Sequence, residues 1–261
     1  MSENSVVLTN LSIGYKTKGS VRTVANSVNG TIRSGELTCL MGENGVGKST
    51  LLRTLSGFQP PLSGSISLLG RPLPDYTPQE LAKTIGVVLT EKPDVGMMTV
   101  HELVAMGRSP YTGFWGRLSA DDHQAVSEAI SLVGIVYLAQ RQVSTLSDGE
   151  RQKVMIAKAL AQQTDVIFLD EPTAFLDYPS KVDMLLLLHR ISHDAGKTIF
   201  LSTHDLELTL QAADTIWLMT RSDGLLVGTP HDLARQGALG RFVEKSKGVT
   251  FDPQRLSVTI S

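Results

Sequence analysis

The chain has 261 residues, 41% hydrophobic and 19% charged, which is enough for one large domain with a well-formed core. Its formal net charge of −2 gives no overall pull toward nucleic acid or anionic lipid, so nucleic-acid binding is not expected. A single cysteine, Cys39, excludes an internal disulfide, and no C-x-x-C metal pattern is present.

The opening "MSENSVVLTN" has no basic n-region and no apolar h-region, so no secretory signal is expected. The longest apolar stretches, such as "MLLLLHRI", fall far short of the ~20 residues that span a bilayer. The expectation is a soluble, cytoplasmic chain whose role at a membrane, if it has one, is peripheral.

In chain order, "SVVLTNLSIGY" and "GELTCLMG" read as strands, with Cys39 in the second as a small core residue. The second run ends in glycines and enters "KSTLLRTLSGF", which has helical spacing. The junction, "GENGVGKST", matches G-x-x-x-x-G-K-[ST]. Gly42, Gly45 and Gly47 let the backbone curl so that successive N–H groups, with those around Asn44 and Thr50, converge on phosphate oxygens. Lys48 neutralises the β- and γ-phosphates, and the Ser49 hydroxyl is placed to ligate Mg²⁺. This stretch reads as a nucleoside triphosphate site.

From Met98 to Gln142 there is little strand signal. "SADDHQAVSEAISLVG" opens on a capping box, Ser119 with Asp122, and stops at Gly134, with Ala125, Val126, Ala129, Ile130 and Val133 on one apolar face. An inserted helical subdomain is expected here, about residues 91–145. "STLSDGERQK" places a second capping box, Ser147 with Glu150, at the start of another helix.

"DVIFLDEP" reads as a strand covered on both faces. Asp170 at its carboxyl end can hold Mg²⁺, and Glu171 is placed to orient or deprotonate an attacking water. A helix, "SKVDMLLLLHRISHDAG", and a further strand, "KTIFLST", follow and lead to His204. His189 and His193 are spaced i, i+4 on that helix, a spacing a metal accepts, but no third ligand is evident and a solvated face is expected. "LELTLQAAD" and "TIWLMT" repeat the helix–strand alternation, "TRSDGLLVG" reads as a hairpin turning at Asp223–Gly224, and the tail after Val243 carries no signal. Strands alternating with helices argue for an α/β layer with a mainly parallel sheet.

The order phosphate loop, helical insertion, "LSDGERQ", "FLDEP", "FLD" and "STHD" resembles the nucleotide-binding subunit of an ABC transporter, over nearly the whole chain. The resemblance implies a P-loop NTPase with an ABC-type core: a mainly parallel sheet, an N-terminal antiparallel β subdomain and the inserted helical subdomain, all in a single domain of residues 1–261. It implies ATP and Mg²⁺, and a head-to-tail homodimer sandwiching two ATP molecules. Ser147 and the Gly149 amide of one copy would then touch the γ-phosphate bound by the other, and Asp177 would cross the interface. Tyr15 matches the aromatic that stacks on adenine, and His204 the γ-phosphate contact.

Residues 106–122 resemble the "GR-x-P … G-R-L-S" stretch of type II importers for iron-siderophore, haem or cobalamin. That implies two copies of a separate multi-span permease, an extracytoplasmic substrate-binding protein, and a place on the cytoplasmic face of the membrane. Two positions depart from the family. Thr90 stands where a Mg²⁺-sensing glutamine is usual, which makes direct metal contact by Thr90 doubtful and leaves a water bridge or Glu91 as alternatives.

Asp148 replaces the first glycine of the usual pair. A unit charge ~6 Å from a phosphate charge costs about 3 kcal/mol at an effective dielectric near 20. An acid is nevertheless favoured at a helix N-terminus, where Arg151 can also pair with it, so Asp148 is expected to turn outward and leave the site working. Two other readings stay open: an ATP-gated binding module with weak or no hydrolysis, and a non-transport ABC ATPase.

Overall fold

Two long β-rich runs, Asn4–Thr17 and Ser20–Arg33, pair antiparallel before any helix forms. The computed structural model describes residues 4–17, 19–90, 95–113, 115–244 and 248–260. These form two compact units, Met1–Asp75 with Leu188–Ser261, and Tyr76–Leu187.

In the first unit the N-terminal pair extends through Ser63–Leu68 and Arg71–Pro72 into a four-stranded antiparallel sheet. A second sheet is built around Leu37–Gly42, whose six residues are all buried, Cys39 among them. Thr198–Ser202 and Thr215–Thr220 flank it in parallel, and Gly224–Gly228 adds antiparallel to the latter. Strands buried on both faces are what near-continuous apolar runs specify. Burial also pushes the Cys39 thiol up to about 12, so it is an inert core thiol rather than a nucleophile.

The hairpin expected around Asp223–Gly224 is present, with Gly224 pairing Thr220. Helices Pro230–Arg235 and Ala238–Val243 follow, and the tail after Val243, which carries no sequence signal, holds a hairpin, Val249–Asp252 with Ser257–Ile260. Leu233, Leu239 and Phe251 pack there on Met41, Ile216 and Leu218. This C-terminal segment thus packs on Leu37–Gly42, which leads into the glycine loop, and on Thr215–Thr220 beside it.

The second unit holds a parallel pair, Ile85–Val88 and Val166–Asp170, and helices Pro78–Thr84, Val100–Ala105, Ala120–Leu132 and Asp148–Ala161. The capping box at Ser119 and the apolar face Ala125, Val126, Ala129, Ile130 and Val133 form as expected, all five side chains buried.

Inside this unit Arg108 is 4% exposed and Asp122 5% exposed. The Arg108 Nε donates to Asp122 Oδ1 at 2.8 Å, and Nη1 donates to the Ala161 carbonyl and Gln163 Oε1. The guanidinium also lies over the Tyr111 ring, 3.9 Å from its centroid. Arg108 is therefore a packing residue, and the part of the 106–122 segment left to solvent includes Arg117 and Trp115, the latter 84% exposed. Phe114 lies outside the described residues.

Asp122 receives the Ser119 backbone N–H, the Arg108 guanidinium and the Ser119 hydroxyl, which hold its carboxyl down at about 2 against an ordinary 3.8. A depressed folded-state value means this contribution to stability is complete above the ordinary value and is lost as pH falls through about 2. Urea unfolding of wild type should therefore weaken steeply between about pH 4 and pH 2, and Asp122→Asn should show a shallower slope there. Equal slopes would place the acid sensitivity in other carboxylates.

Candidate active site

Each unit carries one half of the expected constellation. In the first, Leu37–Gly42 delivers the chain at the carboxyl edge of its sheet, and the loop turns through Gly45 and Gly47 into helix Lys48–Leu55. Gly47 sits at φ 113, where an added Cβ would lie 2.2 Å from Val24 Cγ1. Only glycine fits that position.

Among the described residues this helix shares a start without a side-chain cap with Leu206–Ala212 and Ala238–Val243, and differs from the capped ones. Five helices among the described residues begin with a Ser/Thr capping box, at Thr77, Thr99, Ser119, Ser147 and Thr229. Lys48–Leu55 begins at Gly47 with no side-chain cap and no acid in its first turn. With neither a capping side chain nor an acid there, the positive dipole end of the helix favours an anion.

Lys48 is buried, and its Nζ donates to the Gly42 and Glu43 carbonyls at 3.0 and 3.2 Å, which lays the ammonium along the loop. Asn44, Gly45 and Ser49 are exposed. The Thr50 hydroxyl lies 2.7 Å from the Tyr15 hydroxyl, and this hydrogen bond positions Tyr15. The Tyr15 ring, 44% exposed, is thereby held beside the phosphate-loop helix as an open stacking face.

Arg221, in the turn after Thr215–Thr220, braces the loop from behind, with Nε 3.6 Å from Glu43 and Nη2 donating to the Asn44 carbonyl at 3.5 Å. Sequence reasoning missed this residue, because nothing in the "TRSDG" turn indicates where its arginine reaches. His204 is exposed just past Thr198–Ser202, at the same carboxyl edge of this sheet, since Leu40 pairs with Ser202 and Thr203 N–H donates to the Leu40 carbonyl.

In the second unit Val166–Asp170 ends at Asp170, and Glu171 follows in the left-handed region at φ 49. A non-glycine residue there costs of order 1 kcal/mol or more. The Ala174 N–H closes a turn on the Glu171 carbonyl at 3.0 Å, and Phe175 is left-handed as well. The Thr90 hydroxyl donates to the Asp170 carbonyl at 2.8 Å. Its single proton is thus directed at the end of the strand that carries Asp170, and only the oxygen lone pairs remain for any other contact. Glu91, the alternative to the missing glutamine, lies outside the described residues.

Asp148 is exposed at the first position of helix Asp148–Ala161. The Ser147 hydroxyl donates to Glu150 Oε2 at 3.0 Å and accepts from the Glu150 N–H at 3.3 Å. These contacts, the Ser147 backbone N–H foremost, hold the Glu150 carboxyl below its usual range. Ser147 therefore serves its own helix here, and donating to a phosphate requires its proton to leave Glu150. The Arg151 guanidinium donates to the Val143 carbonyl at 3.4 Å.

Gly149 has an ordinary φ, and an added Cβ would meet nothing closer than Ser180 Oγ at 3.7 Å. The chain's own packing does not demand glycine there. Asp177 is exposed and accepts from the Ser180 N–H at 3.1 Å; its Ser180 contacts hold its carboxyl below the usual range.

Comparison with known proteins gives the following matches. Residues 25–174 match the family described as ABC transporter. The ferric enterobactin transport ATP-binding protein FepC of Escherichia coli (strain K12) is 37% identical over 223 residues, 85% of this chain and 81% of that protein. A metal-chelate type ABC transporter in an inward-facing conformation superposes with a TM-score of 0.75 at 26% identity, covering 88% of this chain and 85% of that one. A dimeric ATP-binding cassette in a post-hydrolysis state, bound to ADP and Pi, gives a TM-score of 0.73 at 26% identity, covering 86% and 98%.

Proposed function

This chain belongs to the ABC transporter family of ATP-binding proteins, and on that premise we propose that it is the ATP-hydrolysing subunit powering uptake of a metal-chelate nutrient, an iron-siderophore, haem or cobalamin, through a separate membrane permease. The observation that carries the reading is the uncapped helix start behind the glycine loop, with Lys48 laid along it. The family supplies nucleotide as the anion, and the similarity to FepC and to a metal-chelate type transporter supports the cargo class.

In this reading Tyr15 stacks on adenine, and Gly42, Asn44, Gly45, Gly47, Lys48, Ser49 and Thr50 hold the phosphates. The Ser49 hydroxyl and the Asp170 carboxylate are hard oxygen donors of the kind Mg²⁺ takes, and the bound ion would neutralise charge on the β- and γ-phosphates. Glu171 accepts a proton from the attacking water while His204 contacts the γ-phosphate. A bond forms from the water oxygen to the γ-phosphorus, the bridging bond to the β-phosphate breaks, and ADP and phosphate leave.

A second copy completes each site head to tail with Ser147, the Gly149 amide and Asp177, while Asp148 turns outward. Glycine at 149, which the chain's own packing does not require, supports close approach by something beyond the chain. Residues 91–145 act as the helical subdomain, and the exposed face with Trp115 receives the permease at the cytoplasmic side of the membrane. Among the described residues no helix is long and apolar enough to cross a membrane.

The test is uptake of ferric siderophore, haem and cobalamin by cells lacking this chain, complemented by wild type or by Glu171→Gln. Uptake of one of them should be lost and restored only by wild type. Unchanged uptake of all three would overturn the cargo class.

A further inference from the structure

The last turn of helix Tyr178–His193 brings together groups that nucleotide chemistry does not use. The i, i+4 pair His189 and His193 is joined by Asp214, just before Thr215–Thr220, and one ligand atom from each lies within 4.8 Å of the others. The third ligand that the sequence does not reveal is therefore supplied by the fold.

Hydrogen bonding fixes the His193 tautomer. Ser192 Oγ donates its proton to the His189 carbonyl at 2.8 Å. The His193 Nδ1, 3.0 Å from both Ser192 Oγ and the His189 carbonyl, thus faces two acceptors and carries the ring proton. In the neutral ring this leaves Nε2 with a lone pair, aimed at Asp214 Oδ1 at 3.2 Å. The other oxygen, Oδ2, is held by the Leu37 N–H at 2.8 Å, so the carboxylate is fixed with Oδ1 toward the ring. A lone pair facing a carboxylate calls for a cation between them.

The spacing suits a metal. Two ligands ~2.0–2.1 Å from a tetrahedral zinc lie ~3.3 Å apart. His189 stacks on His193 with ring centroids 4.0 Å apart, so its nitrogen enters by a rotation of the ring about its terminal torsion. We propose that His189, His193 and Asp214 form a binding site for a divalent cation of the zinc class, with water completing the coordination. Imidazole and carboxylate ligands suit that class better than Mg²⁺.

The occupied site clamps the end of this helix to the segment entering Thr215–Thr220 and, through the Leu37 N–H, to the strand that leads into the phosphate loop. The ligand-bearing segments belong to the same compact unit, and the site owes nothing to nucleotide.

The test uses the full-length chain, freed of any tag and stripped with chelator, titrated with Zn²⁺ in the absence of nucleotide and followed by calorimetry, with Co²⁺ absorption as a second probe. One Zn²⁺ per chain is expected, with tetrahedral-type Co²⁺ bands. Asp214→Asn keeps an acceptor for the Leu37 N–H and offers an amide proton to Nε2, so it should fold like wild type yet bind at least about tenfold more weakly. His189→Gln should weaken binding to a similar degree and lose the Co²⁺ bands. Equal affinity in wild type and Asp214→Asn, or no saturable binding by wild type, would overturn the proposal and leave His193 and Asp214 as a proton-bridged pair.

Discussion

Replacing Lys48 with alanine should weaken ATP binding by roughly a hundredfold or more, because hydrogen bonds to charged groups contribute about 1.5–3 kcal/mol each and in the proposed site the ammonium would serve two phosphates. In the protein as it stands that ammonium is buried and already oriented by the Gly42 and Glu43 carbonyls, so little reorganisation offsets its gain on binding. The loop should survive the substitution, since its course is set by the glycines and by Arg221 behind Glu43 and Asn44. Titration with a fluorescent ATP analogue, with circular dichroism as the control for folding, measures the effect. Affinity within a few-fold of wild type would mean that the uncapped helix start alone holds the nucleotide.

Glu171→Gln should separate binding from chemistry. Glutamine has nearly the same shape and can occupy the left-handed position that Glu171 already holds, but it cannot take a proton from water. General-base catalysis contributes typically about 10²–10⁴-fold, so phosphate release should fall by that order while nucleotide affinity stays near wild type. A loss of less than tenfold would move the base elsewhere, with His204 the first residue to examine.

Much of the constellation was legible because its residues are local in sequence. The phosphate loop, the acids after an apolar strand and the box at Ser147 depend on spacings of a few residues, and physics acts on them at that range. What stayed hidden depends on contacts across the chain. Ser20–Arg33 is mostly exposed and polar, so it shows no clean alternation and becomes a strand through its pairing with Asn4–Thr17. The C-terminal hairpin is stabilised by burial of Phe251 against residues far upstream. Thr90 reads as a doubtful metal ligand until its hydroxyl is seen on the Asp170 carbonyl, and nothing near Arg108 in the sequence indicates its partners Asp122, Ala161 and Gln163. The pairing of His193 with Asp214 belongs to the same class, since the two meet only once the helix has returned to the sheet.

Asp148 is where sequence and energetics pull hardest against each other. An inward carboxylate ~6 Å from a phosphate charge costs about 3 kcal/mol, enough to prevent an ATP-bound dimer, whereas an outward one at a helix start is mildly favourable. The decisive measurement is the mass in solution of Glu171→Gln, by light scattering after size exclusion, with and without ATP and Mg²⁺. The account predicts a monomer without ATP and a stable dimer with it. A monomer in both conditions, with ATP bound, would contradict the head-to-tail ATPase and leave a nucleotide-gated binding module in its place.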